Sequence, residues 1–119
     1  MIGWIREIVL DCRDPPELAR FWAGLLGGEP VEWYPGWVTL EPPPNGQRLS
    51  FQGTADPPRN GVHFDILVDD LEVAHAQVLN AGGRFVAERF SPRPGPNGER
   101  IPWRVYEDPV GHPFCLVVR

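Results

Sequence analysis

Lysine is absent from this chain, and all 11 basic residues are arginine. That excludes a Schiff-base lysine, a P-loop lysine and a Ser–Lys catalytic pair. Cysteine is scarce. Cys12 and Cys115 stand far apart and outside any CxxC spacing, which favours reduced packing or pocket thiols over a disulfide. No N-x-[ST] sequon occurs, and the opening Met1–Glu7 stretch is charged, with no apolar run of signal-peptide or membrane-span length. A cytoplasmic protein is expected. Positive charge is also in deficit, 11 basic against 16 acidic residues for a net charge of −5. Phosphate backbones and anionic lipid are poor electrostatic partners for such a surface, so neither nucleic acid nor membrane is expected. What remains is 42% hydrophobic and 23% charged over 119 residues, a core-forming composition for one domain spanning 1–119.

An internal repeat organises the chain. Ile5–Asp14 and Gly61–Asp70 are both apolar strands ending in aspartate. Each precedes a helical stretch closed by a double glycine, Gly27-Gly28 and Gly82-Gly83. Pro44–Phe51 is echoed 65 residues later by Pro109–Leu116. Each half therefore reads strand, helix, then three strands, with module one at about 1–53, a linker at 54–60 and module two at 61–119. Asp14-Pro15-Pro16-Glu17 carries a helix N-terminal signal, and Leu18, Phe21, Trp22 and Leu25 recur at helical spacing as its core face. Asp70 opens the second helix, with Leu71, Ala74, Val78 and Ala81 on its inner line. The proline- and glycine-rich stretches Glu41–Gly46 and Pro92–Gly98 read as connections between strands.

Alternation sorts the strand side chains. Ile8, Leu10 and Cys12 oppose Glu7, Val9 and Asp11; Ile66 and Val68 oppose His63 and Asp65. The apolar faces cover the helices, and the other faces carry polar groups. The expected architecture is α+β, two βαβββ modules forming a curved mixed sheet cup with helices outside. Its candidate pocket lining is Glu7, Asp11, Trp37, Thr39, Ser50, His63, Asp65, Arg104 and Cys115. Arg104 enters by carrying the 65-residue offset onto Thr39. Of the five tryptophans, Trp22 belongs to the core, and Trp37 is either an aromatic pocket wall or plain packing. Trp4 and Trp33 are candidates for a homodimer contact, since a small half-open sheet has exposed edges.

Val9–Pro15, Leu18–Trp22, Arg59–Asp65 and Asp108–Leu116, set in these paired modules, resemble the vicinal oxygen chelate superfamily, and more narrowly its small bacterial glyoxalase-like domains. That superfamily holds glyoxalase I, bleomycin-resistance proteins and extradiol dioxygenases. The resemblance implies metal-ligand positions at Glu7, Ser50, His63 and Cys115. Serine and cysteine stand where glyoxalase I-like members supply carboxylates, so the implied metal set reduces to Glu7, His63 and Cys115, for zinc, nickel, manganese or iron. The alternative is a Glu7–His63 pair with no metal. His75 and His112 fall outside the pattern, where solvation or capping explains them. The implied function is small-molecule binding of the bleomycin-resistance kind. The alternatives are a divalent-metal-dependent lyase or isomerase acting on vicinal oxygens, and a structural dimer without ligand.

Overall fold

The computed structural model describes residues 1–58, 61–109 and 111–118. Arg59, Asn60 and Val110 of the quoted motifs lie outside the described residues. The chain is α+β and builds two βαβββ modules. The first comprises β1 (Gly3–Cys12), α1 (Pro15–Leu26), β2 (Glu29–Tyr34), β3 (Trp37–Glu41) and β4 (Leu49–Gly53), with a short 3-10 turn at Pro44–Gly46. The second comprises β5 (Val62–Val68), α2 (Leu71–Asn80), β6 (Arg84–Phe90), β7 (Pro102–Glu107) and β8 (Pro113–Val117). Two compact units result, Glu7–His63 and Met1–Arg6 with Phe64–Arg119, the divisions falling within β1 and β5.

Each unit has the same mixed topology. In Glu7–His63, β1 runs parallel to β4, and β3 is antiparallel to both β4 and β2. In the other unit, β5 runs parallel to β8, and β7 is antiparallel to both β8 and β6. Both helices start on an aspartate. The Asp14 carboxylate accepts the Glu17 N–H at 3.1 Å, while Pro15 and Pro16 have no N–H to satisfy. Asp70 accepts from Glu72 and Val73 at 2.9 and 3.1 Å. Gly27 stops α1 at φ 95°, a backbone conformation that costs glycine little.

The helices pack on the apolar strand faces. Ala19 meets Val38, Leu40 and Phe51, with Leu10, Leu18, Trp22 and Ala23 partly buried around them. Val68, Leu71, Ala74, Val78, Tyr106 and Leu116 make the second core, joined by Ile2, Ile66 and Phe114. Burying a side chain the size of Phe51 contributes about 2–3 kcal/mol. The expected core face of α1 needs correction: Phe21 and Leu25 are 58% and 65% exposed. At 100° per residue the inward line runs through Pro15, Ala19 and Ala23, and these small residues let the helix lie close to its sheet. Phe21 and Leu25 are thereby turned onto the outer flank. Ala81 is likewise exposed, serving as the C-cap of α2 rather than its core.

Two glycines are geometrically required near the first module's polar face. Gly36, at φ 86° after Pro35, makes the turn from β2 to β3. A Cβ on Gly61 would stand 2.9 Å from the Asp11 Cβ, and the Gly61 carbonyl accepts the Asp11 N–H at 2.7 Å. Only glycine lets the chain approach β1 so closely. Among the described residues no helix is long and apolar enough to cross a membrane.

Candidate functional site

Strand register assembles the polar face of Glu7–His63 in rows. Val9 pairs with Ser50 and Ser50 with Thr39; Asp11 pairs with Gln52 and Gln52 with Trp37. These residues alternate with Leu10, Phe51, Val38 and Leu40, which face α1, so their side chains leave the sheet on its other side. Glu7, Thr39 and Ser50 form a buried floor. The Ser50 hydroxyl donates to Glu7 Oε1 at 2.5 Å, and Thr39 Oγ1 lies 2.8 Å from Ser50 Oγ. Because Ser50 commits its single proton to the carboxylate, Thr39 donates to Ser50. Arg48 Nε donates to the same Oε1 at 3.3 Å, and its Nη1 stands 3.6 Å from Glu41. The buried carboxylate is thus held by charge-assisted donors, without which its burial would cost several kcal/mol. Among the described residues, no buried side-chain nitrogen or oxygen lacks a partner.

The second row stays accessible. Asp11, Gln52 and Trp37 are each half-buried, and the Tyr34 ring stacks on Trp37 at 6.0 Å between centroids and 22° between planes. This row offers a carboxylate acceptor, a carboxamide that both donates and accepts, and an indole against which the Tyr34 ring is stacked. A flat molecule with hydrogen-bond donors along its edge matches those groups.

On β5, Asp65 stands opposite Cys115 of β8, and both are buried. They leave the sheet away from Ile66, Val68 and Leu116, which face α2. His63 precedes Asp65 by two residues on the same strand. His63, Asp65 and Cys115 each offer one ligand atom, all within 4.8 Å of one another. Imidazole, carboxylate and thiolate together form a donor set that zinc accepts, and three protein ligands leave a coordination position for substrate or water. Asp65, expected as pocket lining and not as a ligand, thus joins two of the three residues expected as ligands, while Glu7 has Ser50 and Arg48 as partners.

Arg104 must be reassigned. It was expected to turn away from the helix, as Thr39 does. It pairs with Leu116 on the face that carries Tyr106, and its guanidinium binds Glu72 of α2 and, at 2.8 Å, Glu88 of β6. The reason is a one-residue difference in the hairpins. Thr39 pairs with Ser50 across β3 and β4, whereas Val105, not Arg104, pairs with Cys115 across β7 and β8. A slip of one residue moves a side chain to the opposite face. Glu72 first, then Glu88, holds the Arg104 guanidinium even further above its ordinary pKa. His75 also belongs to this helix side, its Nδ1 2.7 Å from the Tyr106 hydroxyl. His112 closes a surface turn against Asp108 at 2.9 Å. Arg48 and Gln52 were missing from the expected lining, although both share strand parity with Ser50 and were legible on that ground.

A family model, the glyoxalase-like domain, matches residues 7–117. Similar solved structures include a glyoxalase/bleomycin resistance protein/dioxygenase superfamily member from Vibrio splendidus 12B01. It is 20% identical with a TM-score of 0.66, over 95% of this chain and 97% of that one. Methylmalonyl-CoA epimerase from Mycobacterium tuberculosis is 18% identical with a TM-score of 0.68, over 98% and 88% of the two chains. An Mn(II)-bound glyoxalase from Novosphingobium aromaticivorans is 15% identical with a TM-score of 0.64, over 98% of this chain and 39% of that one. No curated protein matches the chain. At these identities the likeness is one of fold.

Proposed function

We propose that this chain, which belongs to the glyoxalase-like domain family and has the vicinal oxygen chelate fold, is a small-molecule-binding protein of the bleomycin-resistance kind. The observation that carries this reading is the accessible Asp11–Gln52–Trp37 row beside a buried floor whose polar groups are already satisfied. In this reading a planar ligand lies against Trp37, which Tyr34 braces. Its edge donors meet Asp11 and Gln52, and no bond in it is broken. Glu7, Ser50, Thr39 and Arg48 act beneath as a fixed polar support that keeps β1, β3 and β4 in register. Cys12 and Cys115, neither of them in a disulfide, agree with the cytoplasmic location proposed with this function.

The His63–Asp65–Cys115 group favours a second reading, a divalent-metal-dependent lyase or isomerase. Those three residues would hold the cation, which supplies Lewis-acid polarisation of vicinal oxygens. Melting curves of chelator-treated protein separate the two readings, because anything bound only by the native state raises its stability with concentration. Planar heteroaromatic amides and amines form one arm; zinc, nickel and manganese alone form the other. The binding reading expects a shift with an organic compound that needs no metal and is lost in Trp37→Ala. Shifts confined to the metals and abolished by His63→Ala would replace it with the second reading.

A further inference from the structure

We propose that the outer edge of β6 docks an extended acidic peptide segment of another protein, which adds to the sheet as a strand beside it. This goes beyond the ligand-binding reading and does not rest on it. β6 stands at the end of its unit's strand order and, among the described residues, pairs with β7 alone. The Ser91 N–H donates to the Ile101 carbonyl at 2.8 Å, so Arg89 and Ser91 turn their backbone groups toward β7, and Glu88 and Phe90 turn theirs outward. Pro102, which has no N–H to give, accordingly stands opposite Phe90. An edge of this kind is completed by another backbone, and the side chains along it decide which one.

Charge sets the sign of that partner. Five of the 11 arginines lie between positions 84 and 104, with only two of the 16 acidic residues. The β6–β7 hairpin is therefore a basic arm on a net-acidic chain. Both of its acids are already engaged: Glu88 Oε2 accepts from Arg104 Nε, and Glu99 Oε2 from the Asn97 N–H, each at 2.8 Å. Arg84 is paired with Glu107. Arg89 and Arg100 have no carboxylate partner among the described residues. Arg89 Nη1 donates to the Glu88 carbonyl at 3.4 Å, and the Arg100 guanidinium lies 3.7 Å from the centre of the Phe90 ring. Phe90 shares strand parity with Glu88, and Arg89 leaves on the opposite face. An added strand that alternates carboxylate with aliphatic residues sets the first beside Arg89 and the second beside Phe90, which is 39% exposed. The bulge between Phe85 and Ala87 ends the regular edge, so the dock is short. A second copy's β6 is disfavoured, since twofold pairing brings the same arginines together. Nucleic acid is disfavoured because acidic residues dominate the rest of the chain and a phosphate chain cannot match an amide edge.

Fluorescence anisotropy of a labelled peptide of alternating glutamate and valine, about eight residues long, titrated with the full chain, tests the proposal. Binding is expected with a dissociation constant on the order of 10–100 µM, weakening as salt is raised. Arg89→Glu combined with Arg100→Glu, both at exposed positions, should weaken it at least about tenfold. The same peptide with its backbone N-methylated throughout should not bind, because it keeps the side chains and has no N–H to give. Should the double variant misfold, hydrogen exchange of wild type decides: saturating peptide should slow the Glu88 and Phe90 amides at least about tenfold. No binding up to about 1 mM, unchanged affinity in the folded variant, equal binding by the methylated peptide, or unslowed exchange at Glu88 and Phe90 overturns the proposal. Competition at equal strength by a single-stranded oligonucleotide also overturns it, as does self-association of the chain alone that the double variant abolishes.

Discussion

Val38 on β3 and Arg104 on β7 occupy the same place in their two units. Each immediately precedes the residue that pairs with Ser50 or with Cys115. Val38 is buried with Ala19 and Phe51, and α1 lies on that face through small side chains. Arg104 instead reaches out to Glu72 of α2 and Glu88 of β6, and its unit fills the space beneath α2 with rings. Tyr106 stacks on Phe114 at 5.6 Å, and His75 and Phe85 pack against it. The polar faces diverge as well. One holds a carboxylate within hydroxyl and guanidinium donors; the other carries a buried carboxylate and thiol, Asp65 and Cys115. A shared backbone therefore specifies where side chains stand and leaves their chemistry to vary independently.

Exchanging the two residues should break this comparison most visibly. Val38→Arg places a guanidinium in a closed apolar core with no acid supplied by the inner face of α1, and should cost about 4 kcal/mol. Arg104→Val should cost only about 1 kcal/mol, because Glu72 and Glu88 return to water. Urea midpoints with unchanged slopes measure both. Comparable losses would show that Arg104 is as central to its unit as Val38 is to the other.

Ser50→Ala comes next. It removes the hydroxyl that joins Thr39 to Glu7 and leaves both short of a partner, for an expected loss of about 2 kcal/mol. Cys115→Ala, at the matching place on β8, should cost about 1 kcal/mol in metal-free protein. If the order reverses, the satisfied floor is not what stabilises the first unit's polar face.

The helix caps should differ by less. Asp70→Ala loses two backbone hydrogen bonds and should cost about 1 kcal/mol, against about half that for Asp14→Ala, which loses one. Equal losses in thermal denaturation would remove the role given to Pro15 and Pro16.

Alkaline pH should produce the mildest contrast. Burial is the first cause raising both the Cys12 thiol and the Tyr106 phenol above their ordinary values of 9.0 and 10.0. In each case the folded state keeps a proton that the unfolded state releases. The associated stability is complete below those values and is lost as pH rises beyond them. Melting temperature should therefore begin to fall above about pH 9, and Cys12→Ser should delay the first part of that fall. A melting temperature independent of pH from 9 to 11 would contradict the burial assigned to both groups.

The repeat made much of this legible. Two strands ending in aspartate, two double glycines and matched closing strands specify the βαβββ modules before any coordinate is known. Parity then places Glu7, Thr39 and Ser50 on one face, because each alternates with residues that cover α1. It fails at Arg104 because one hairpin is a residue shorter than the other, a difference invisible until strands are paired. It fails at Phe21 and Leu25 for another reason. Hydrophobic spacing marks a broad stripe on a helix, and it was the alanines that determined which part of the stripe faces the sheet. The grouping of Asp65 with His63 and Cys115 depends on pairing across β5 and β8, which single-strand alternation does not contain.

Calorimetric titration of the compound giving the largest melting shift, into chelator-treated wild type and Trp37→Ala protein, tests the central claim most directly. Recognition through the Asp11–Gln52–Trp37 row requires that binding persist without metal and weaken at least about tenfold when the indole is removed. Affinity that is unchanged in Trp37→Ala, or that appears only after zinc, nickel or manganese is restored, would contradict it.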